Sequence, residues 1–407
     1  MSDPGAELDV LVVGAGPAGS ATAALLARAG YSVLAVDRAT FPREKPCSEY
    51  MSPETVRILD RLGVVAALEA AGAVPLDGMR LTSPSGATLH GKFSLAGYHP
   101  FRPTGLSVSR RILDNELVVA ARAAGATVLE RTRVEELLYD QGAVSGAAVR
   151  NSRGQRQLLR ARLTVGADGL RSVVARRIGC RKRGTPARLA FVAHVAGVQG
   201  MSSSAELHVG ASGYVGLNRI SVDTTNVGLV VPAERAAAAR AGVAAFFWDT
   251  LGEFPGIRER VEAGEVVRPI LATGPFASRS RRVSTDGALL VGDAADFFDP
   301  FTGDGIYSAL RGAELVADTA AAALSHPGTV TGQRLAEYTR MRRRAFAAKW
   351  IMERVTGHGM RFPRIFDRAV ARLGRREGMA HAVVGFAGGF VPARVVLNPI
   401  FLARTML

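Results

Sequence analysis

Three short segments, far apart in the chain, carry residue types suited to holding a dinucleotide. They are Gly14-Ala15-Gly16-Pro17-Ala18-Gly19, Gly166-Ala167-Asp168-Gly169 and Gly292-Asp293-Ala294-Ala295. In the first, Gly14 allows a tight turn, Gly16 lets the backbone approach a pyrophosphate, and Gly19 lets a helix pack closely on a strand. Pro17 and Ala18 open that helix, whose free N–H groups and dipole attract phosphate. Asp37, 18 residues after Gly19, is spaced to accept hydrogen bonds from a ribose diol, with Arg38 beside it.

These residues need particular elements to position them. The apolar run Val10-Leu11-Val12-Val13 reads as a buried parallel strand. Ser20 to Ala29 reads as a small-residue helix ending at Gly30, and Ser32 to Val36 as a second strand that delivers Asp37. The succession of strand, turn, helix, strand and acid predicts a dinucleotide site and leaves FAD and NAD both open.

The other two segments resemble those of FAD-dependent oxidoreductases that include the single-component aromatic hydroxylases and the geranylgeranyl reductases. The resemblance rests on Leu163 to Gly169 with Ser172 following, on Ala288 to Asp293, and on Asp299-Pro300-Phe301-Thr302-Gly303-Asp304-Gly305-Ile306. It implies FAD as cofactor, with Asp168 near the pyrophosphate and Gly292 and Asp293 on the ribityl chain. It also implies that Pro300, Gly303, Asp304, Gly305 and Ile306 form the turn and helix start beside the flavin ring. N–H groups at such a helix start stabilise negative charge on the reduced ring. Arg110, in Ser109-Arg110-Arg111-Ile112, resembles the family's flavin-contacting arginine, and Arg43 has a comparable place in the loop after the second strand.

The implied fold is α/β (mixed α+β): a Rossmann-type FAD lobe, an interleaved antiparallel-sheet substrate lobe and a helical C-terminal region. The FAD lobe is assigned residues 1–75, 103–175 and 283–330; the substrate lobe 76–102 and 176–282; the C-terminal region 331–407. Within the substrate lobe, Met79 to Thr82 and Ala87 to His90 flank Pro84-Ser85-Gly86, a hairpin signal. Four apolar runs between residues 189 and 231 read as an antiparallel sheet over the flavin, and residues 233–262 read as helical.

The reaction is less sharply written. Arg43-Glu44-Lys45-Pro46-Cys47-Ser48 resembles the Arg-x-Lys-x-Cys-Gly stretch of geranylgeranyl reductases and flavin halogenases, with Ser48 where those carry glycine. Cys47 is a candidate beside the ring, or a buried, inert thiol. The reductases' Tyr-x-Trp-x-Phe-Pro stretch is reduced here to Tyr214, and the halogenases' Trp-x-Trp-x-Ile-Pro is absent, the two tryptophans being Trp248 and Trp350. Tyr214-Val215-Gly216-Leu217 leading into Asn226-Val227-Gly228-Leu229 resembles the substrate-lobe hairpin of hydroxylating flavoenzymes, and that resemblance implies a monooxygenase that hydroxylates or epoxidises an apolar aromatic, polyketide-like or lipid-like molecule with O₂. The alternative is a geranylgeranyl reductase-like enzyme acting on alkenes or isoprenoid lipids; a structural FAD is the third reading. A phenolic substrate would need a base, for which His194, His208, Tyr214 and Glu49 are the candidates. No second nucleotide fold is visible, so NADPH or NADH would bind transiently, or a partner reductase would supply electrons.

Composition sets the outer bounds. With 407 residues, 48% of them hydrophobic, the chain can bury a large core. Two cysteines imply no disulfide framework and fit a cytoplasmic setting. The first strand begins within ten residues, so no secretory leader is expected. Scattered histidines give no metal-ligand spacing, and no nucleic-acid recognition module is present. The net charge of +15 is uneven: residues 331–378 hold 13 Lys or Arg against 4 Asp or Glu, a surplus of +9. That basic, amphipathic stretch reads either as a peripheral contact with the inner face of an anionic membrane or as a helical cap with solvated arginines.

Overall fold

The computed structural model describes residues 8–184, 187–254 and 256–406. From the N-terminus run β1 (Leu8–Val13), α1 (Pro17–Arg28) and β2 (Val33–Val36), then the hairpin β3 (Gly78–Thr82) and β4 (Thr88–Lys92). Next come α2 (Arg110–Ala123), β5 (Thr127–Leu129) and β6 (Arg156–Gly166). Four strands follow: β7 (Arg188–Ala196), β8 (Ala205–Gly210), β9 (Gly213–Arg219) and β10 (Thr224–Pro232). Helices α3 (Val243–Leu251) and α4 (Ile257–Glu262) lead to β11 (Glu265–Thr273) and β12 (Ala288–Leu290). The C-terminal helices are α5 (Gly305–Leu324), α6 (Ala336–Gly359), α7 (Pro363–Gly374), α8 (Glu377–Ala387) and α9 (Pro399–Met406).

Five strands form a parallel sheet in the order β12-β6-β1-β2-β5. Val10, Leu11 and Val12 have no exposed surface, because helices cover both faces of a parallel sheet. The small residues of α1 have a structural use: Ala21, Ala23 and Ala24 are buried where α1 packs against α5 and α2.

The second sheet has the order β11-β7-β10-β9-β8-β3-β4, antiparallel throughout except between β8 and β3. Side chains alternate between its faces. Phe191, Val195, Val227, Leu229 and Leu217 pack with Phe247 and Leu251 of α3, whereas Ala190, Val192, Val209, Tyr214 and Val230 pack with Phe301 and the C-terminal helices. The hairpin and the four strands stand where the sequence places them. The edge strand β11 is an addition: much of it is exposed and it carries Pro269, which only an edge tolerates.

Candidate active site

The three glycine-bearing segments meet because β12, β6 and β1 are neighbours whose C-terminal ends share one edge of the sheet. Gly14 N–H donates to Val36 O (2.8 Å), Ala167 N–H to Val13 O (2.8 Å) and Val291 N–H to Gly166 O (2.9 Å). Gly14 lies at φ +100°, and a Cβ there would stand 2.6 Å from Ala167 O; one on Gly19 would stand 1.8 Å from Gly14 O. No side chain caps the first turn of α1, which leaves its amides available to phosphate. Asp37 accepts from Ala15 N–H and Ala39 N–H, both at 2.8 Å, and each oxygen keeps a lone pair for a ribose hydroxyl. Arg38 beside it is exposed.

These residues fit FAD. Asp168 accepts from Val173 N–H at 2.6 Å through Oδ2, yet its buried Oδ1 has no partner; nor has the buried Nε of Arg43, whose Nη2 lies 3.3 Å from where a Gly16 Cβ would be. A spare acceptor and a spare donor at the cradle are what a ligand rich in hydroxyl and phosphate groups satisfies.

A charged cluster adjoins the cradle. Arg110, the first residue of α2, forks onto Asp114 at 2.6 and 2.9 Å, and Arg43 reaches the same carboxylate at 3.0 Å. Burial opposes the Arg110 charge, but Asp114 and the adjacent Cys47 outweigh it and raise its pKa. Lys45 is pushed below its ordinary value by burial and by the neighbouring Arg110 and Arg43. Burial pushes Asp293 above its own, with Lys45 and Arg110 opposing. Three cations thus face two carboxylates, a surplus suited to an anionic ligand.

The loop carrying Arg43, Lys45 and Cys47 is fastened by Glu49. Its Oε1 accepts from the Arg110 amide at 2.8 Å; its Oε2 meets His194 Nε2 and Asn226 Nδ2, each at 2.7 Å. Asn226 also donates to Cys47 O at 2.8 Å, and Ser107 Oγ donates to Glu49 O at 3.0 Å. Ser48 Oγ donates to Gly303 O at 3.2 Å, so the serine that replaces the usual glycine ties the loop to the turn before α5.

That turn is held from the C-terminal side. Asp299 pairs with Arg188, and its Oδ1 accepts from Tyr214 O–H at 2.7 Å and Phe301 N–H at 3.0 Å. Lys349 of α6 sits 2.7 Å from Asp304 Oδ2 and also donates to Ser308. Glu353, one helical turn on, is buried 3.8 Å from Lys349. Its carboxyl is pushed up to about 8 by burial, against the pull of Lys349 and with Asp304, Asp296 and Asp299 adding to the rise.

Of the candidate residues, Glu49, His194, Tyr214 and Cys47 gather on the side of the second sheet that meets the Cys47 loop and the turn before α5. His208 does not. Alternation along β8 turns it to the opposite face, 2.9 Å from Glu206, which Arg260 of α4 also grips. Tyr214 is committed to Asp299, and that carboxylate together with burial holds its pKa well above 10. A second correction concerns the basic stretch: Arg342 is not solvated but buried against Asp296 and the rings of Tyr338, Phe346 and Trp350. Asn226, Asn218, Arg188 and Glu353 were not singled out by sequence reading, and Lys349 was read only as part of the basic stretch, since each matters through a partner more than 40 residues away or through burial.

One row of the second sheet completes the site. Cross-strand register aligns Leu271, Val192, Gly228, Gly216, Leu207 and Leu81 on the face of the sheet opposite α3. All are apolar or glycine. A Cβ on Gly216 or Gly228 would meet nothing nearer than 3.8 Å, so the centre of the row is a trough without side chains. The next row toward the Cys47 loop is polar: His194, Asn226 and Asn218.

A family model described as FAD binding domain matches residues 7–354. The chain belongs to this family of FAD-dependent oxidoreductases. Among its relatives, digeranylgeranylglycerophospholipid reductase 1 of Methanopyrus kandleri is 31% identical over 79% of this chain and 83% of the relative. The digeranylgeranylglycerophospholipid reductase of Methanosarcina acetivorans is 29% identical over 86% and 81%. Among solved structures, the flavin-dependent brominase Bmp2 superposes with a TM-score of 0.82 at 21% identity, covering 96% of this chain and 97% of that one. A geranylgeranyl bacteriochlorophyll reductase-like protein of Thermoplasma acidophilum gives 0.74 at 21%, covering 98% and 95%. Such structural likeness establishes the fold.

Proposed function

We propose that the protein reduces carbon–carbon double bonds in a long apolar molecule of the polyprenyl-lipid type. The observation that carries this reading is the trough: a side-chain-free groove floored by Gly216 and Gly228, with apolar neighbours across the sheet. It suits a slender hydrocarbon chain, and relatives covering most of the sequence are lipid reductases by name. FAD, when bound, supplies a hydride equivalent. Saturation also needs a proton on the other alkene carbon. We assign its delivery to the Cys47 thiol, which the Glu49-fastened loop holds against Arg110. Electrons reach the cofactor from NADPH, NADH or a partner reductase. Asp299, Lys349 and Ser48 keep the turn before α5 in place, and Tyr214 and Phe301 pack edge to face, 5.2 Å apart, to exclude water.

Oxygen transfer, which the sequence alone places first, stands second. The observation in its favour is His194 hydrogen-bonded to Glu49 on the side of the second sheet that meets the Cys47 loop, a carboxylate–imidazole pair able to orient a base toward a phenol. One experiment separates the two. The FAD-loaded protein is reduced anaerobically with dithionite and mixed with a geranylgeranyl lipid. Reoxidation with saturation of the lipid supports the reductase. A reduced flavin that stays reduced until O₂ arrives, then yields an oxygenated product, supports the monooxygenase.

A further inference from the structure

The outward side of α6 and α7 exposes large apolar side chains and arginines together. Ile351, Val355, Phe362 and Ile365 are 48%, 62%, 60% and 51% exposed within fifteen residues. Among them stand Arg343, Arg344, Arg354, Arg361, Arg364 and Arg368, all exposed and, among the described residues, without an ion-pair partner. Between residues 338 and 376 the acids are Glu353, buried on the inner side, and Asp367, which accepts the Ser85 N–H at 3.0 Å. The exposed face is therefore apolar and cationic, with no exposed carboxylate inside it.

We infer that this face docks the protein on an anionic phospholipid bilayer. Apolar side chains interleaved with arginines match the boundary between headgroups and acyl chains, where the hydrocarbon enters and each guanidinium stays with phosphate. A protein partner of comparable affinity would call for a contiguous apolar centre with a polar rim, and here the two are mixed residue by residue. The placement also fits the fold. The inner side of α6 carries Lys349 against Asp304, and Arg188 of β7 donates to Gly357 O at 3.2 Å, so a docked α6 sets the redox turn about one helix diameter, roughly 10 Å, from the lipid. The inference rests on surface chemistry and holds under either reading of the reaction.

The test is flotation of the purified FAD-loaded protein with vesicles of phosphatidylcholine, with and without phosphatidylglycerol. Binding is expected to the anionic vesicles alone, weakening with salt. Two variants check the two halves of the face: F362S/I365S, and R361E/R364E. Each should reduce partitioning at least fivefold while leaving the thermal transition and the FAD content unchanged, with about fivefold expected for each arginine lost. Absence of wild-type binding to anionic vesicles at low salt would overturn the inference. So would binding that survives F362S/I365S, since charge alone would then account for it. A dimer that F362S/I365S dissolves would assign the face to a second copy of the chain and overturn it equally.

Discussion

Glu49 and His194, 145 residues apart, meet at 2.7 Å in the interior, and Glu49 does so from a backbone angle of φ +59°. A non-glycine residue in the left-handed region costs about 1–2 kcal/mol, so the carboxylate's contacts must hold it there. They do so by joining three parts of the fold: the loop of Cys47, the start of α2 at Arg110, and strands β7 and β10. Glu49→Gln replaces an acceptor-only group by one with donors facing donors. The one remaining acceptor oxygen can serve either the Arg110 amide or the His194–Asn226 pair, so at least one buried, charge-assisted hydrogen bond is lost, at about 1.5–3 kcal/mol. The expected outcome is a lower thermal transition and FAD bound at least about tenfold more weakly, since Arg43 and Arg110 both depend on this loop. Fluorescence titration with FAD reads the second effect; unchanged affinity would show that the loop is held without Glu49.

The glycines of the cradle separate steric need from mere turn propensity. A Cβ on Gly19 would lie 1.8 Å from the Gly14 carbonyl oxygen, a backbone atom fixed between strand and helix, whereas Gly30 at φ +89° has nothing within 4 Å. Gly19→Ala should abolish FAD binding. Gly30→Ala should retain it and lose only about 1 kcal/mol through its left-handed backbone. Absorbance of the purified proteins near the flavin bands settles both, and a yellow Gly19→Ala protein would mean the helix shifts away at little cost.

Sequence made the cradle legible because its residues act locally: Gly14, Gly19 and Asp37 sit within one strand–helix–strand unit, and each has a role that spacing alone reveals. Ser48 was visible as a departure, but its bond to Gly303 spans 255 residues. The polar hub was half visible. Glu49 and His194 were candidates by type, while Asn226 and Asn218 looked like ordinary strand residues until register set them in one row. His208 shows the limit of residue type: alternation along β8 sends it to the α4 side. The inner residues of α6 were hidden by composition. A helix with so many arginines reads as solvated, and only packing shows that Arg342, Lys349 and Glu353 turn inward.

The trough makes a prediction that leaves the cofactor alone. Gly228 has no positive φ and no atom nearer than 3.8 Å to its would-be Cβ, so Gly228→Leu can fold. Its side chain would fill the groove between Val192 and Gly216. FAD content and thermal transition should stay near wild type while apparent substrate affinity falls by about tenfold or more, as expected when several buried methylenes lose their place. Reoxidation kinetics of the reduced protein against a geranylgeranyl lipid measure this. Unaltered kinetics would place the substrate elsewhere.

Glu353 provides a test in pH. Its carboxyl, ordinarily near 4.5, is pushed up to about 8 by burial and by Asp304, Asp296 and Asp299. Over that interval the folded chain binds a proton that the unfolded chain has released, so this group's contribution is complete below about pH 4.5 and fades as pH rises through 8. Glu353→Gln mimics the protonated acid and removes that dependence. The variant should match wild type near pH 5 and exceed its stability near pH 9, by an amount on the order of a few kcal/mol. Thermal transitions of both proteins across this range give the difference curve directly. Lys349 lies 3.8 Å away, so the same curve measured in a Lys349→Met background should shift to still higher pH, because the lysine whose charge opposes the rise is gone. A flat difference between wild type and Glu353→Gln would mean that this carboxyl titrates in the folded protein as it does in water.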